Sequence, residues 1–264
     1  MDSSRFQQTV WDYYHDRQRD LPWRQPEADG SFDPYKIMVS EVMLQQTQVS
    51  RVIPKYEMFL VKFPSAQVLA KAQLADVLRV WSGLGYNRRA KFLWQAAQVI
   101  DGTFPDTIRG LSALPGVGVN TAGAIMAYAF NQPVVFIETN IRTVYIHHFF
   151  TDRTDVHDKE LVPLIEATLD AENPREWYWA LMDYGVFLKN TVGNASRGSR
   201  HYTKQSTFQG SKRQIRGEVL RQLNYGPMEM SEIRARISDE RVDEVLHELS
   251  KELLISQTGT SFHL

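Results

Sequence analysis

The chain has 264 residues, 43% hydrophobic and 23% charged, with a formal net charge of −1; this suits a globular protein with a sizeable core, and overall charge gives no signal for nucleic acid. It contains no cysteine, which excludes disulfides, thiolate nucleophiles, zinc fingers and cysteine-ligated iron–sulfur clusters. No apolar run approaches the roughly 18 residues of a spanning helix, and the opening Met1-Asp2-Ser3-Ser4-Arg5 has no signal pattern, so a cytoplasmic protein is expected.

Helix signals dominate in chain order. Asp33-Pro34 reads as an N-cap followed by proline at the first helical position, ahead of a helical segment from Lys36 to Ile53. Further helices are expected at about Leu69–Trp81, Arg88–Ile100, Thr121–Phe130, Ile141–Phe150, Glu160–Asp170 and Glu176–Phe187. Phe63-Pro64, Phe104-Pro105, Pro115-Gly116, Pro133 and Pro174 punctuate them. Strand-like alternation is scarce before residue 254, so the main body is expected to be all-α.

From Asn190 to Gly217 the chain is rich in Gly, Ser, Thr and Asn and carries Arg197, Arg200, Lys204, Lys212, Arg213 and Arg216, with no Asp or Glu between Asp183 and Glu218. Two readings stand: a solvated linker, or a segment whose Arg200 and Lys204 contact phosphates. Beyond it, a helix at about Arg213–Leu223, a short one capped by Ser231 and running to Ile237, a longer one opened by Asp239 and running to Glu252, then an alternating tail around Thr258-Gly259, make a winged-helix pattern. The third helix carries Asp239, Glu240, Asp243, Glu244, Glu248 and Glu252, which disfavours a major groove and points to packing or a partner.

The sharpest local signal is Leu114-Pro115-Gly116-Val117-Gly118, followed by Thr121-Ala122-Gly123-Ala124. Two glycines at i and i+2 before a helix allow a tight turn whose amides and dipole end face outward, a phosphate seat that reads no sequence. A plain interhelical turn is the simpler alternative. The second signal is Glu41, in Val39-Ser40-Glu41-Val42-Met43-Leu44, followed by the uncharged polar run Gln45-Gln46-Thr47-Gln48. Apolar neighbours would favour the protonated carboxyl, as a general acid needs, although a solvated glutamate is the blander reading.

The stretch from Ser40 to Val49, with Leu21-Pro22-Trp23-Arg24, Gly83-Leu84-Gly85-Tyr86 and the Leu114–Ala124 hairpin, resembles the MutY-type adenine DNA glycosylases of the helix-hairpin-helix superfamily, across about residues 6 to 189. The resemblance implies two α-helical lobes with double-stranded DNA bound across the cleft between them. It implies that Glu41 is the general acid that protonates the departing base. Gln46 and Tyr86 match residues that enter the duplex when a base is flipped. Trp23, Arg24, Leu44 and Val49 match residues around the base pocket. Gly116, Val117, Gly118 and Thr121 match the phosphate-binding turn, which in this family often also holds a monovalent cation through backbone carbonyls. No other cofactor is implied.

Several positions depart from the family pattern. Its catalytic aspartate, which stabilises the sugar cation, is replaced by Glu138, one methylene longer; Asn140 matches a supporting asparagine. Glu138 also reads as a helix N-terminal residue favoured by the dipole. Endonuclease III-type enzymes carry a lysine where Asn120 stands, and no lysine lies between Lys91 and Lys159, so a monofunctional enzyme is implied. Most relatives follow the helix at Glu176–Phe187 with four cysteines that bind an iron–sulfur cluster, and here the basic loop stands in that place. Trp179 occupies a pocket position usually held by glutamine or glutamate.

The expected organisation is a helix-hairpin-helix glycosylase domain over 1–210, with a six-helix lobe at about 26–135 and a second lobe from the N-terminal helix plus about 136–210, and a winged-helix-like domain over 211–264. The implied activity is excision of a mispaired or damaged base by a monomeric enzyme on the nucleoid, foremost adenine opposite 8-oxoguanine or guanine. Thymine or uracil opposite guanine, or another damaged base, is the alternative substrate. A non-catalytic DNA-damage binder is the reading from another class.

Overall fold

The computed structural model describes residues 2–264. Its helices, in order, are α1 (Ser3–Arg17), α2 (Pro34–Leu44), α3 (Val49–Lys62), α4 (Ala66–Lys71), α5 (Leu74–Trp81), α6 (Arg88–Val99) and α7 (Ile108–Ser112). There follow α8 (Val119–Tyr128), α9 (Thr139–Phe149), α10 (Asp158–Thr168), α11 (Pro174–Thr191), α12 (Lys212–Leu223), α13 (Met230–Arg236) and α14 (Val242–Lys251). Side-chain caps fix many of the starts: Asp2 accepts from the Arg5 amide at 2.9 Å, and Ser65, Thr107 and Ser211 cap α4, α7 and α12 in the same way. Each cap satisfies an amide that the first helical turn leaves unpaired.

The structure corrects four sequence expectations. The segment from Lys36 to Ile53 is not one helix: α2 stops at Leu44 and α3 begins at Val49, because Gln46 takes a left-handed φ of 52°. Apolar periodicity runs on through this break, so the pattern did not reveal it. Leu69–Trp81 is likewise two helices, with the Ala72 carbonyl taken by the Trp94 indole N–H at 3.0 Å. In the C-terminal segment α13 is capped by Glu229 with Glu232 in a capping box, not by Ser231. Asp239 does not cap α14; its carboxylate accepts from the Arg241 amide at 3.0 Å, and Arg241 precedes the helix.

The chain divides into two compact units. The first holds residues up to Met38, Asp106–Ala113 and Val117–Lys204. Its core is aromatic: Phe6 packs 5.0 Å from Tyr145 and 6.1 Å from Trp177, and Phe136 lies 4.2 Å from Tyr178, ring centre to ring centre. The second holds Val39–Pro105, Leu114–Gly116 and Gln205–Leu264. Its core includes Phe59 against Trp81, with Leu69, Leu93 and Ala96 buried.

Residues 212–263 form the expected winged-helix arrangement, with one strand more than foreseen. The strands β1 (Met228–Glu229), β2 (Ser256–Thr258) and β3 (Ser261–His263) make an antiparallel sheet in the order β1-β3-β2, with Met228 opposite Phe262. Two residues are too few for β1 to show in a sequence pattern. The acidic face of α14 lies against α12: Lys212 Nζ is 2.7 Å from Glu244 and from Glu248, and Arg216 reaches Glu252 at 2.5 Å. Its charges are therefore largely answered inside the fold.

Candidate active site

In the second unit a single arginine organises two turns. Arg89, on the buried face of α6, donates to the carbonyls of Val42 (2.7 Å), Met43 (3.0 Å) and Gln45 (2.5 Å), and to the Thr47 hydroxyl (3.0 Å). Those bonds cap the C-terminal end of α2, where the helix leaves carbonyls unpaired and its dipole favours a cation. A fifth bond, 3.2 Å, goes to the Gly85 carbonyl, and the guanidinium lies 5.4 Å from the Tyr86 ring. Burial pushes the Arg89 guanidinium down to about 10, so it stays charged at neutral pH.

The two turns so held carry Gln46 and Tyr86. Both have left-handed backbones, at φ 52° and 47°. Non-glycine residues are held there only where the surroundings over-determine them, and such strain collects at functional sites. Gln46 is exposed, and Tyr86 is half-buried. Glu41 is half-buried in α2 between the buried Ser40 and Val42. Leu44 ends α2 and Val49 starts α3, both half-buried, on either side of the Gln46 turn.

The hairpin at 114–118 has the expected local geometry. Gly116 has φ +76°, and a Cβ there would meet Phe92 Cβ at 2.5 Å, so both conformation and space require glycine. Val117 is buried beside it, Gly118 is the N-cap residue of α8, and Gly116, Gly118 and Val119 are exposed with Thr121 in the first turn. The turn itself offers neutral backbone oxygens and amides, a donor set that fits a phosphate or a monovalent cation and not a soft metal.

In the first unit the chain running into Glu138 is pinned from behind. Tyr178 donates to the Val134 carbonyl at 2.7 Å, and Gly123 makes room for Phe136, whose Cβ would stand 2.6 Å from an added methyl. Asn120 Oδ1 accepts from the Ile137 amide at 3.3 Å. Glu138 then occupies the N-cap position of α9, yet its side chain makes no capping bond. The helix dipole favours a carboxylate at that point. Two residues on, Asn140 donates to Met182 Sδ at 3.9 Å, while its Oδ1 is buried with no hydrogen-bond partner. Gly185 of α11 admits this packing, since a Cβ there would meet the Asn140 carbonyl at 2.6 Å.

Of the residues expected around a base pocket, Trp23, Arg24 and Trp179 lie in the first unit, and Leu44 and Val49 in the second. Trp23 and Trp179 are buried; Trp179 stacks on Tyr128 at 6.1 Å and meets Phe32 edge-on at 5.5 Å. Arg24 lies 5.3 Å from the Trp179 ring, but its charge is committed to Asp183, with bonds of 2.8 and 2.7 Å. Arg19 adds two more, from Nε and its amide, at 2.7 and 2.8 Å. Burial alone would raise the Asp183 carboxyl; the bonds from Arg24 and Arg19 reverse this and hold it below the usual carboxylate range.

The basic connecting loop is shorter than expected. α11 continues to Thr191, a 3-10 turn spans Ala195–Gly198, and α12 begins at Lys212. Arg200 sits 3.3 Å from Asp155 with both side chains exposed, a weak pair, and Lys204 is exposed. Lys212 and Arg216 face α14. Arg89, Asp183 and Arg213 were not foreseen as site residues. Arg89 and Asp183 had a legible signal, a charge on a helix's apolar face, because buried charges require partners.

The family described as HhH-GPD superfamily base excision DNA repair protein matches residues 39–165, the stretch that holds Glu41, the Arg89 junction, the hairpin and Glu138. Over that stretch the chain is similar to this superfamily. Within it the chain is similar to adenine DNA glycosylases. It is 34% identical over 192 residues to that of Buchnera aphidicola subsp. Baizongia pistaciae, which covers 69% of this chain and 52% of the relative. With the enzyme of Mus musculus it shares 35% identity over 230 residues, 83% of this chain and 44% of the relative. The chain thus spans about half the length of the curated relatives it matches. Among solved structures it is similar to a thermostable thymine-DNA glycosylase, with TM-score 0.60, 26% identity, and coverage of 69% of this chain and 85% of that one.

Proposed function

We propose that this chain is a monofunctional DNA glycosylase of base-excision repair. The observation that carries this reading is the Arg89 junction, which holds Gln46 and Tyr86, the two residues matched to duplex insertion, in strained backbone conformations. In the proposed reaction Glu41 gives its proton to the base and makes it a neutral leaving group. The N-glycosidic bond breaks, its electron pair leaves with the base, and the carboxylate of Glu138 stabilises the cationic sugar. Water adds to that carbon and loses a proton, leaving an abasic site. With Asn120 where a Schiff-base lysine would stand, strand cleavage is not part of the reaction. The hairpin at 114–118 would seat a backbone phosphate, and a monovalent cation bound to its carbonyls would rigidify that seat.

Adenine opposite 8-oxoguanine or guanine is the substrate that similarity to the adenine glycosylases supports. A second reading, thymine or uracil opposite guanine, is favoured by the similarity to the solved thymine-DNA glycosylase and by Trp179 in the aromatic cluster. Single-turnover excision on duplexes carrying each base, with alkali to cut abasic sites, separates the two. Tight mispair binding with no cleavage of any duplex would favour a damage-binding protein instead.

A further inference from the structure

Tyr86 has a second partner set, contributed by the C-terminal segment of the same unit. Arg213, in the first turn of α12, donates from Nη1 to the Tyr86 hydroxyl at 2.6 Å, and its guanidinium carbon lies 5.4 Å from the ring centre. Gln205 Nε2 also donates to that hydroxyl. Arg213 is itself braced, with Nη2 bonded to the Ser206 carbonyl at 2.6 Å. Its neighbours on α12, Lys212 and Arg216, turn to the carboxylates of α14. The segment is tied down at a second point, where Lys91 of α6 donates to the Glu252 carbonyl at 2.6 Å.

These contacts complete what Arg89 begins. Arg89 fixes the turn that carries Tyr86, but a grip on the backbone does not choose the χ1 rotamer, and so does not set where the ring axis points. Two donors on the phenolic oxygen do. The bond from Arg213 is charge-assisted and short, the kind that gives geometry as well as energy. We propose that Arg213 is a positioning residue that aims the Tyr86 ring for insertion into the DNA stack, so that the segment after Gln205 is a working part of the DNA-reading surface. The proposal rests on the reading of Tyr86 as a residue that enters the duplex.

The test uses the full chain as wild type, Arg213→Ala, Arg213→Lys, Tyr86→Phe and the double variant R213A/Y86F. The first readout is the ring resonances of 13C-labelled Tyr86 without DNA. Arg213→Ala should collapse them to averaged positions while the melting curve keeps a single transition, and Arg213→Lys should restore them in part. Unchanged resonances in Arg213→Ala overturn the proposal whether or not the protein excises any base. The second readout is single-turnover excision with 2-aminopurine beside the target, reporting local unstacking. Loss of the charge-assisted bond should slow unstacking and excision about tenfold. Tyr86→Phe should match it, and the double variant should be no slower. Additive losses would overturn a shared action through the hydroxyl. Faster excision by Arg213→Ala would show the segment to be an inhibitory cover, which also overturns it. Absence of excision by the wild type would defeat the proposed function and leave the ring readout to decide this inference.

Discussion

Asn120 Oδ1 accepts from the Ile137 amide at 3.3 Å, so the first turn of α8 grips the chain one residue before Glu138. Asn120 therefore helps to hold the chain that leads into Glu138. Asn120→Ala should free that segment and slow excision about tenfold, because catalytic geometry tolerates little displacement. The single-turnover rate at saturating enzyme checks this. Asn120→Lys should let borohydride trap a covalent protein–DNA adduct that the wild type does not give; no adduct would mean that position 120 does not reach the sugar.

Arg89 answers three carbonyls of α2 and its following turn, the Gly85 carbonyl and the Thr47 hydroxyl. Arg89→Met keeps most of the volume and removes every donor, leaving buried acceptors unpaired. Urea unfolding should show a loss of about 3 kcal/mol. Lesion-duplex affinity should fall in protein that is still folded, since both left-handed turns lose their common anchor.

The strain at Gln46 has its own test. Gln46→Gly accepts φ 52° without a Cβ penalty, so it should raise stability by up to about 1 kcal/mol. The same variant should excise more slowly, for lack of the amide proposed to enter the stack. A gain in melting temperature together with a loss in rate is the signature of strain held for function.

His148 and Asp183 both weaken the fold in acid. Burial, with the neighbouring His147, pushes His148 down to about 4, and its Nε2 sits 3.0 Å from the Tyr184 hydroxyl. The unfolded chain takes a proton near pH 6.5 that the folded chain refuses until about 4. That stabilisation is complete above about pH 6.5 and drains away as pH falls towards 4. Asp183 is held low by Arg24 and Arg19, so its contribution is full above an unfolded value of about 4 and is lost as pH falls through the folded one. Melting temperature against pH should therefore fall from about pH 6.5 downward. His148→Gln should flatten the upper part of that fall. Asp183→Asn should cost about 3–5 kcal/mol at neutral pH, because it leaves the buried Arg24 guanidinium and the half-buried Arg19 uncompensated.

Local features of this site were legible in the residues. The hairpin glycines, the helix around Glu41 and the three-helix plan of the C-terminal segment each rest on local spacing, and the structure reproduces them. What was hidden depends on contacts between residues far apart in sequence. The break at Gln46 needs Arg89, over 40 positions away, to take the α2 carbonyls, and no local periodicity encodes it. Arg24 matched a position beside the base pocket, and its bonds to Asp183 appear only once α11 is folded. The acidic α14 pointed to packing or a partner, and its answering charges, Lys212 and Arg216, show only in the fold. Arg213 had no signal at all, since one more arginine in a basic segment looks like its neighbours.

Single-turnover excision by the wild type and Glu41→Gln, on duplexes with adenine opposite 8-oxoguanine, adenine opposite guanine, and thymine or uracil opposite guanine, tests the central claim most directly. The wild type should leave an alkali-labile site in at least one of these duplexes, Glu41→Gln should leave none there, and neither should cut the strand without alkali. Excision that survives Glu41→Gln unchanged would contradict the assignment of Glu41 as the acid that releases the base.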